Sequence, residues 1–168
     1  MSMAGAHERL YESPDLAHID ARGYFGDIVS AIRISFGELF PTADLDFSCD
    51  DMELSLEIAL PCGLIVNELL SNCLKHAFSR AIDGPEPPAK PLVTVRIGRE
   101  TGREGAMGSI LVADNGVGID AMKLERKGTT IGIMLVKSLV VQLKGSVLWK
   151  VEHGTRAVIS FPLLLGRE

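Results

Sequence analysis

Three short stretches of this chain carry residue types that chemistry can use. The first runs Gly63-Leu-Ile-Val-Asn-Glu-Leu-Leu-Ser-Asn-Cys-Leu-Lys-His-Ala-Phe78. At a helical advance of about 100° per residue, Glu68, Asn72, Lys75 and His76 gather on one side, with Val66, Leu70, Cys73 and Ala77 opposite, toward a core. An amide oxygen at Asn72 suits a hard cation such as Mg²⁺, which prefers oxygen ligands. Glu68, one turn earlier, can hold or deprotonate a water or hydroxyl, and Lys75 can meet phosphate oxygens. A polar helix face is also what any amphipathic surface helix shows, so this stretch alone decides nothing.

The second stretch is Leu111-Val-Ala-Asp-Asn-Gly-Val-Gly-Ile119. A strand ending at Asp114 places a carboxylate acceptor beside Gly116 and Gly118, where the backbone can approach a flat ring closely. Asn-Gly is equally a common tight hairpin turn. The third is Lys127-Gly-Thr-Thr-Ile-Gly-Ile-Met-Leu-Val136. Glycines and threonines ahead of a helix leave N–H groups and the positive end of the helix dipole free for phosphate. Thr129 or Thr130 serving only as a helix cap explains the same residues.

These stretches need elements to hold them. Phe25, Ile28, Val29, Ile32 and Phe36 recur at helical spacing, which predicts a helix from about Ala21 to Phe40, stopped by Pro41. Leu45 to Cys49 and Met52 to Ile58 alternate like strands. A helix is expected from Pro61 to Phe78, with the proline in its first turn. After a Pro-rich loop from Ala81 to Pro91, strands are expected over Leu92 to Arg99 and Ser109 to Ala113, with a turn over Gly102 to Gly108. A helix over Gly132 to Leu143 closes on Gly145 as a C′ glycine. A terminal hairpin turns around His153-Gly154. This order predicts an α+β fold of two layers, a mixed, largely antiparallel sheet covered on one face by helices.

Composition narrows the function classes. A chain of 168 residues with 46% hydrophobic and 23% charged residues is long and apolar enough to bury one core. A net charge of −5 argues against nucleic-acid binding through bulk electrostatics. No apolar run is expected to approach the length of a membrane span and no leader peptide is read at the start, so a cytoplasmic protein without membrane contact is expected. Cys49, Cys62 and Cys73 form no CxxC pair, so neither a zinc site nor a disulfide framework is indicated.

Order makes the three stretches specific. An Asn-bearing helix, then a strand with Asp-x-Gly-x-Gly, then a Gly-rich turn and helix, then a Gly-Thr strand resembles the ATPase domain shared by gyrase, the HSP90-type chaperones, histidine kinases and MutL. Glu68-x3-Asn72-x2-Lys75-His76 is similar to that family's N box. Asp114-Asn-Gly-Val-Gly118 is similar to its G1 box, and Gly128-Thr-Thr-Ile-Gly132 to its G2 box. Gly154-Thr155-Arg-Ala-Val-Ile-Ser-Phe-Pro162 resembles its closing strand. The likeness spans about Leu45 to Leu163. The Leu64 to Phe78 stretch, with His7-Glu-Arg-Leu-Tyr11 and Tyr24 upstream, resembles the sensor histidine kinases with an alternative dimerisation domain.

The resemblance implies a Bergerat-type two-layer fold that binds ATP with Mg²⁺. Asn72 would hold the metal, Lys75 and His76 would attend the phosphates and site, and Glu68 would polarise the acceptor or a water. Asp114 would read the adenine amine, with Gly116, Gly118, Ile119 and Thr155 around the nucleotide and Thr129, Thr130 and Gly132 on its phosphate side. Two departures stand out: the Gly118–Gly128 segment is short, and Ile131-Gly132-Ile133 replaces the Gly-x-Gly of many kinases. Residues 1–40 are expected to hold the end of the dimerisation region, and 41–168 the ATP-binding catalytic domain. None of His7, His18, His76 and His153 has the setting of a phospho-acceptor, so the accepting histidine is expected outside this chain. The implied partners are its own dimerisation domain, as a homodimer, and a response-regulator receiver domain. The rival readings are an anti-sigma-type serine kinase and a docking domain that has lost catalysis.

Overall fold

The computed structural model of the chain describes residues 18–36, 43–78, 90–102, 105–119 and 131–163. In chain order they form β1 (Ile19–Asp20), α1 (Ala21–Phe36), β2 (Asp44–Cys49), β3 (Glu53–Leu54), α2 (Leu56–Asn72), β4 (Leu92–Gly102), β5 (Gly105–Asp114), α3 (Ile131–Gln142), β6 (Ser146–Val151) and β7 (Thr155–Pro162). The main sheet has the order β2-β4-β5-β7-β6, and β1 pairs separately with β3. Only β2 and β4 run parallel; the other neighbours are antiparallel. The expected mixed, largely antiparallel sheet is therefore what forms.

Alternation along the strands explains how the layers meet. Val93, Val95 and Ile97 of β4, Ile110 and Val112 of β5, and Ala157, Ile159 and Phe161 of β7 are all buried, with more exposed residues between them. They share one core with Phe25, Val29 and Ile32 of α1, Ile58, Ile65, Val66 and Leu70 of α2, and Val136 and Val140 of α3. Truncating one such side chain, Phe161→Ala for example, costs about 3–5 kcal/mol on precedent for large-to-small core changes. Helix α1 thus belongs to the same core as the sheet. Its N-terminus is capped by Asp20, whose carboxylate accepts the N–H groups of Arg22 (3.2 Å) and Gly23 (3.0 Å).

Several boundaries differ from expectation. Helix α2 starts at Leu56 rather than Pro61, so the strand expected over Met52 to Ile58 shrinks to Glu53–Leu54. Ser55 is extended (φ −66°, ψ 154°), and its carbonyl accepts Ile58 N–H (3.0 Å) and Ala59 N–H (2.8 Å), closing a first turn ahead of the proline. Pro61 then sits inside the helix, where it removes one ladder bond. The turn expected over Gly102 to Gly108 is shorter, because β5 already begins at Gly105 and pairs with β7 from Met107 onward. The continuation of α1 toward Phe40 lies outside the described residues.

At the end of α3 the left-handed residue is Lys144 (φ 53°), and Gly145 takes the next position. Gly145 N–H reaches the Val140 carbonyl (3.0 Å) and Lys144 N–H the Val141 carbonyl (2.9 Å), the two bonds of a Schellman motif. Gly145 is thus the C″ residue, not the C′ one. Helical geometry from Leu56 to Ala77 also spans 22 residues, and an 18-residue window within it has a mean hydropathy of 1.2, long and apolar enough by those two measures to cross a membrane. That corrects the expectation that no run approaches such a length. In the fold it is a core helix, with 56% of that window buried.

Candidate functional site

Helix α2 does not end as an ordinary α-helix. From Cys73 to Ala77 it widens into a π-helical turn, and Phe78 leaves helical geometry (φ −114°, ψ 7°). Wider turns advance less than the usual angle per residue, so side chains after Asn72 fall behind the face they would occupy in a uniform helix. Cys73, expected only in the core, reaches a cavity, while Lys75 turns outward. The Lys75 ammonium lies 5.5 Å from the centre of the Phe36 ring and the residue does not line the cavity.

The π-helical turn also meets the loop after β5. Val117 N–H donates to the Ala77 carbonyl at 2.8 Å. Gly116 passes so near that carbonyl that a Cβ there would collide with it. Asn115 is no hairpin turn: its side-chain oxygen accepts Leu92 N–H (2.8 Å) and its amide donates to the Lys90 carbonyl (2.9 Å), tying the loop to the start of β4.

Between these elements lies a cavity of about 390 Å³. Helix α2 contributes Glu68, Leu69, Asn72, Cys73, His76 and Ala77; β5 and its loop contribute Val112, Asp114, Gly118 and Ile119; α3 contributes Gly132 and Ile133. Trp149 of β6, with Thr155 and Ala157 of β7, closes the far wall. The size and the mix, a mostly apolar wall with a few polar groups, are those of a small-molecule site.

At one end Asp114 is held tightly. Its Oδ1 accepts Gly116 N–H (2.9 Å) and Thr155 N–H (3.2 Å), and its Oδ2 accepts the Cys73 thiol (3.4 Å). Burial, followed by the neighbouring Asp114 charge, pushes the Cys73 thiol well above its ordinary pKa, so the group is an S–H donor at neutral pH. Thr155 Oγ1 accepts Ile119 N–H at 3.0 Å, pinning the loop after β5 to β7. The hairpin before Thr155 permits this approach because His153 (φ 53°) and Gly154 (φ 119°) are left-handed, and a Cβ at Gly154 would strike the Asp114 carbonyl.

At the other end Glu68 and Asn72 face the start of α3. A Cβ on Gly132 would sit 2.7 Å from Glu68 Oε2 and 3.5 Å from Asn72 Nδ2, so glycine is what lets the polar helix face and α3 come together. Among the described residues neither Glu68 nor Asn72 makes a side-chain hydrogen bond, leaving both carbonyl-type oxygens available. No cluster of three or more His, Cys, Asp or Glu that would hold a metal alone occurs among the described residues. An oxygen pair such as Glu68 and Asn72 instead fits a Mg²⁺ whose remaining ligands are phosphate oxygens and water.

Of the residues singled out from sequence, Glu68, Asn72, His76, Asp114, Gly118, Ile119, Gly132 and Thr155 are brought to one cavity. Gly116 shapes its rim from behind, and Lys75 stands outside it. Thr129 and Thr130 lie outside the described residues. Sequence reasoning passed over Cys73, Trp149, Ile133 and Ala157. Alternation placing Trp149 and Ala157 on the inward side of their strands was the available signal for two of them. The indole Nε1 of Trp149 is buried and finds no acceptor among the described residues.

Comparison with known proteins fits this geometry. Residues 58–165 match the model of the histidine kinase-, DNA gyrase B- and HSP90-like ATPases. The chain belongs to that family. The histidine-kinase domain of the blue-light activated histidine kinase of Erythrobacter litoralis is 28% identical, with a TM-score of 0.72, covering 86% of this chain and 62% of that one. A longer structure of the same kinase is 29% identical (TM-score 0.71) and is covered to 42%. This ATPase-family chain therefore spans about two-fifths to three-fifths of those relatives. The mycobacterial sensor histidine kinase MprB shares the fold at 17% identity, with a TM-score of 0.63 over 86% of this chain and 97% of that one. No curated protein sequence matches the chain.

Proposed function

We propose that this chain is the ATP-binding catalytic domain of a cytoplasmic two-component sensor histidine kinase, which transfers the γ-phosphoryl group of Mg·ATP to a histidine outside residues 1–168. The observation that carries the reading is the single cavity joining a hydrogen-bonded Asp114 at one end to Glu68, Asn72 and Gly132 at the other. A base that offers an exocyclic amine suits the first end, and a metal-bound triphosphate suits the second.

Residue roles follow from placement. Asp114 accepts from the base; Val112, Ile133, Trp149 and Ala157 cover its apolar surfaces. Asn72 holds Mg²⁺, which when bound neutralises phosphate charge. Glu68 lies against α3, placed to orient the incoming nucleophile or a water. His76 stands at the exposed edge of the cavity. With Lys75 turned away, positive charge from that residue is not part of the reading; positioning and metal charge carry the transfer. Since α1 packs in the same core, the helices that carry the acceptor and make the homodimer are proposed to lie outside the described fold. A response-regulator receiver domain is the onward partner.

Incubating the chain with γ-labelled Mg·ATP and the isolated dimerisation domain of a related histidine kinase tests this. Acid-labile, base-stable label on that domain is the expected outcome. Acid-stable label on serine supports the anti-sigma-type alternative, and a folded chain that neither binds ATP nor transfers phosphate supports a docking role.

A further inference from the structure

One donor to Asp114 comes from a side chain that the roles above leave unused. Cys73 opens the π-helical turn, 41 residues before Asp114, and both line the cavity. We propose that Cys73 is a positioning and specificity-determining residue of the base end: its S–H anchors Asp114 Oδ2 so that the lone pair left on that oxygen meets a donor on the base. This rests on the nucleotide reading above and deepens it.

The count of lone pairs makes the case. A carboxylate offers about four acceptor positions, two on each oxygen. The N–H groups of Gly116 and Thr155 occupy those of Oδ1, and the Cys73 thiol takes one on Oδ2 at 3.4 Å. One acceptor position remains for a ligand. The last side-chain torsion, broad for a carboxylate, turns both oxygens together, and the backbone donors on Oδ1 restrain that swing from one side only. A third donor on Oδ2 opposes that swing. A base with an amino group there gains a charge-assisted hydrogen bond; a base with a carbonyl there sets two acceptors against each other.

The other cysteines set the contrast. Cys49 gives its thiol to the Asp50 carbonyl (3.3 Å), and Cys62 is buried in the core with its pKa pushed up to about 12 by desolvation. Neither lines the cavity.

The test titrates the chain with ATP and with purine riboside triphosphate, which lacks the amino group, in the native protein and in Cys73→Ala, Cys73→Ser and Asp114→Asn. Cys73→Ala is expected to weaken ATP by about fivefold, the scale of one modest hydrogen bond, and to leave purine riboside triphosphate unchanged. Cys73→Ser, which keeps a donor, is expected to recover most of the loss. Equal weakening of both nucleotides by Cys73→Ala, native-like ATP affinity in that variant, or no recovery with serine overturns the proposal. If Cys73→Ala does not fold, native-like discrimination in Cys73→Ser supports the proposal and its loss overturns it. Should Asp114→Asn erase discrimination while both Cys73 variants retain it, the cysteine role falls and the nucleotide reading stands. Should the native chain bind neither nucleotide, both fall.

Discussion

The two ends of the cavity are built differently. Around Asp114 the donors are mostly backbone, fixed by strand pairing, a left-handed hairpin turn and the loop that rests on Ala77. Around Glu68 and Asn72 the groups are side chains on one helix face, and Gly132 merely leaves them room. A rigid acceptor suits recognition of a flat base whose shape never changes. Adjustable oxygens suit a metal and phosphate chain whose geometry shifts as a phosphoryl group leaves. Disturbing the first end should therefore damage the fold and affinity together, while disturbing the second should spare the fold.

The sharpest way to break that contrast is Gly116→Ala. Its Cβ would collide with the Ala77 carbonyl, so the loop or the π-helical turn must move. A loss of about 3 kcal/mol or more in denaturant stability, with no detectable ATP binding, is expected. At the opposite end, Gly132→Ala meets only the tip of the Glu68 side chain at 2.7 Å, so stability should change by less than about 1 kcal/mol while ATP turnover falls. Equal destabilisation by the two changes would remove the distinction.

Smaller effects sharpen it. Asn72→Ala should leave the thermal midpoint near native and lower ATP affinity about tenfold with Mg²⁺ present, but little when EDTA removes the metal. Calorimetry in the two buffers reads the difference. Lys75→Ala should change nucleotide affinity by less than about twofold, because its ammonium packs on Phe36 rather than in the cavity. A large loss there would restore the phosphate role expected from sequence.

Alkaline pH probes the core beneath both ends. Cys62 has its pKa raised from 9.0 to about 12 by burial. A neutral thiol favoured by the fold contributes stability that is complete below pH 9 and is lost as pH rises toward 12. Unfolding free energy should fall across that window, and Cys62→Ala, though less stable at neutral pH, should fall less steeply.

How much of this was legible in the sequence varies with the kind of signal. Asp114, Gly118 and Thr155 were readable because short motifs fix the backbone near them. The helix face was half readable: Glu68 and Asn72 follow a uniform wheel, but the π-helical turn at Cys73 shifts what comes after, His76 included, and no periodicity shows where a helix widens. That one change exchanges Lys75 for Cys73 at the cavity. The start of α2 was misread because Met52 to Ile58 alternates while Ser55 turns the chain. Strand pairing order, and so the meeting of β6 with the site through Trp149, depends on contacts distant in sequence.

Calorimetric titration of the chain with Mg·ATP, beside the Asp114→Asn variant, tests the central claim most directly. The account predicts saturable one-to-one binding by the native chain and a loss of at least about tenfold in the variant, whose amide can no longer offer a charged acceptor at both oxygens. A folded native chain that binds no ATP, or a variant that binds as tightly as the native chain, would contradict it.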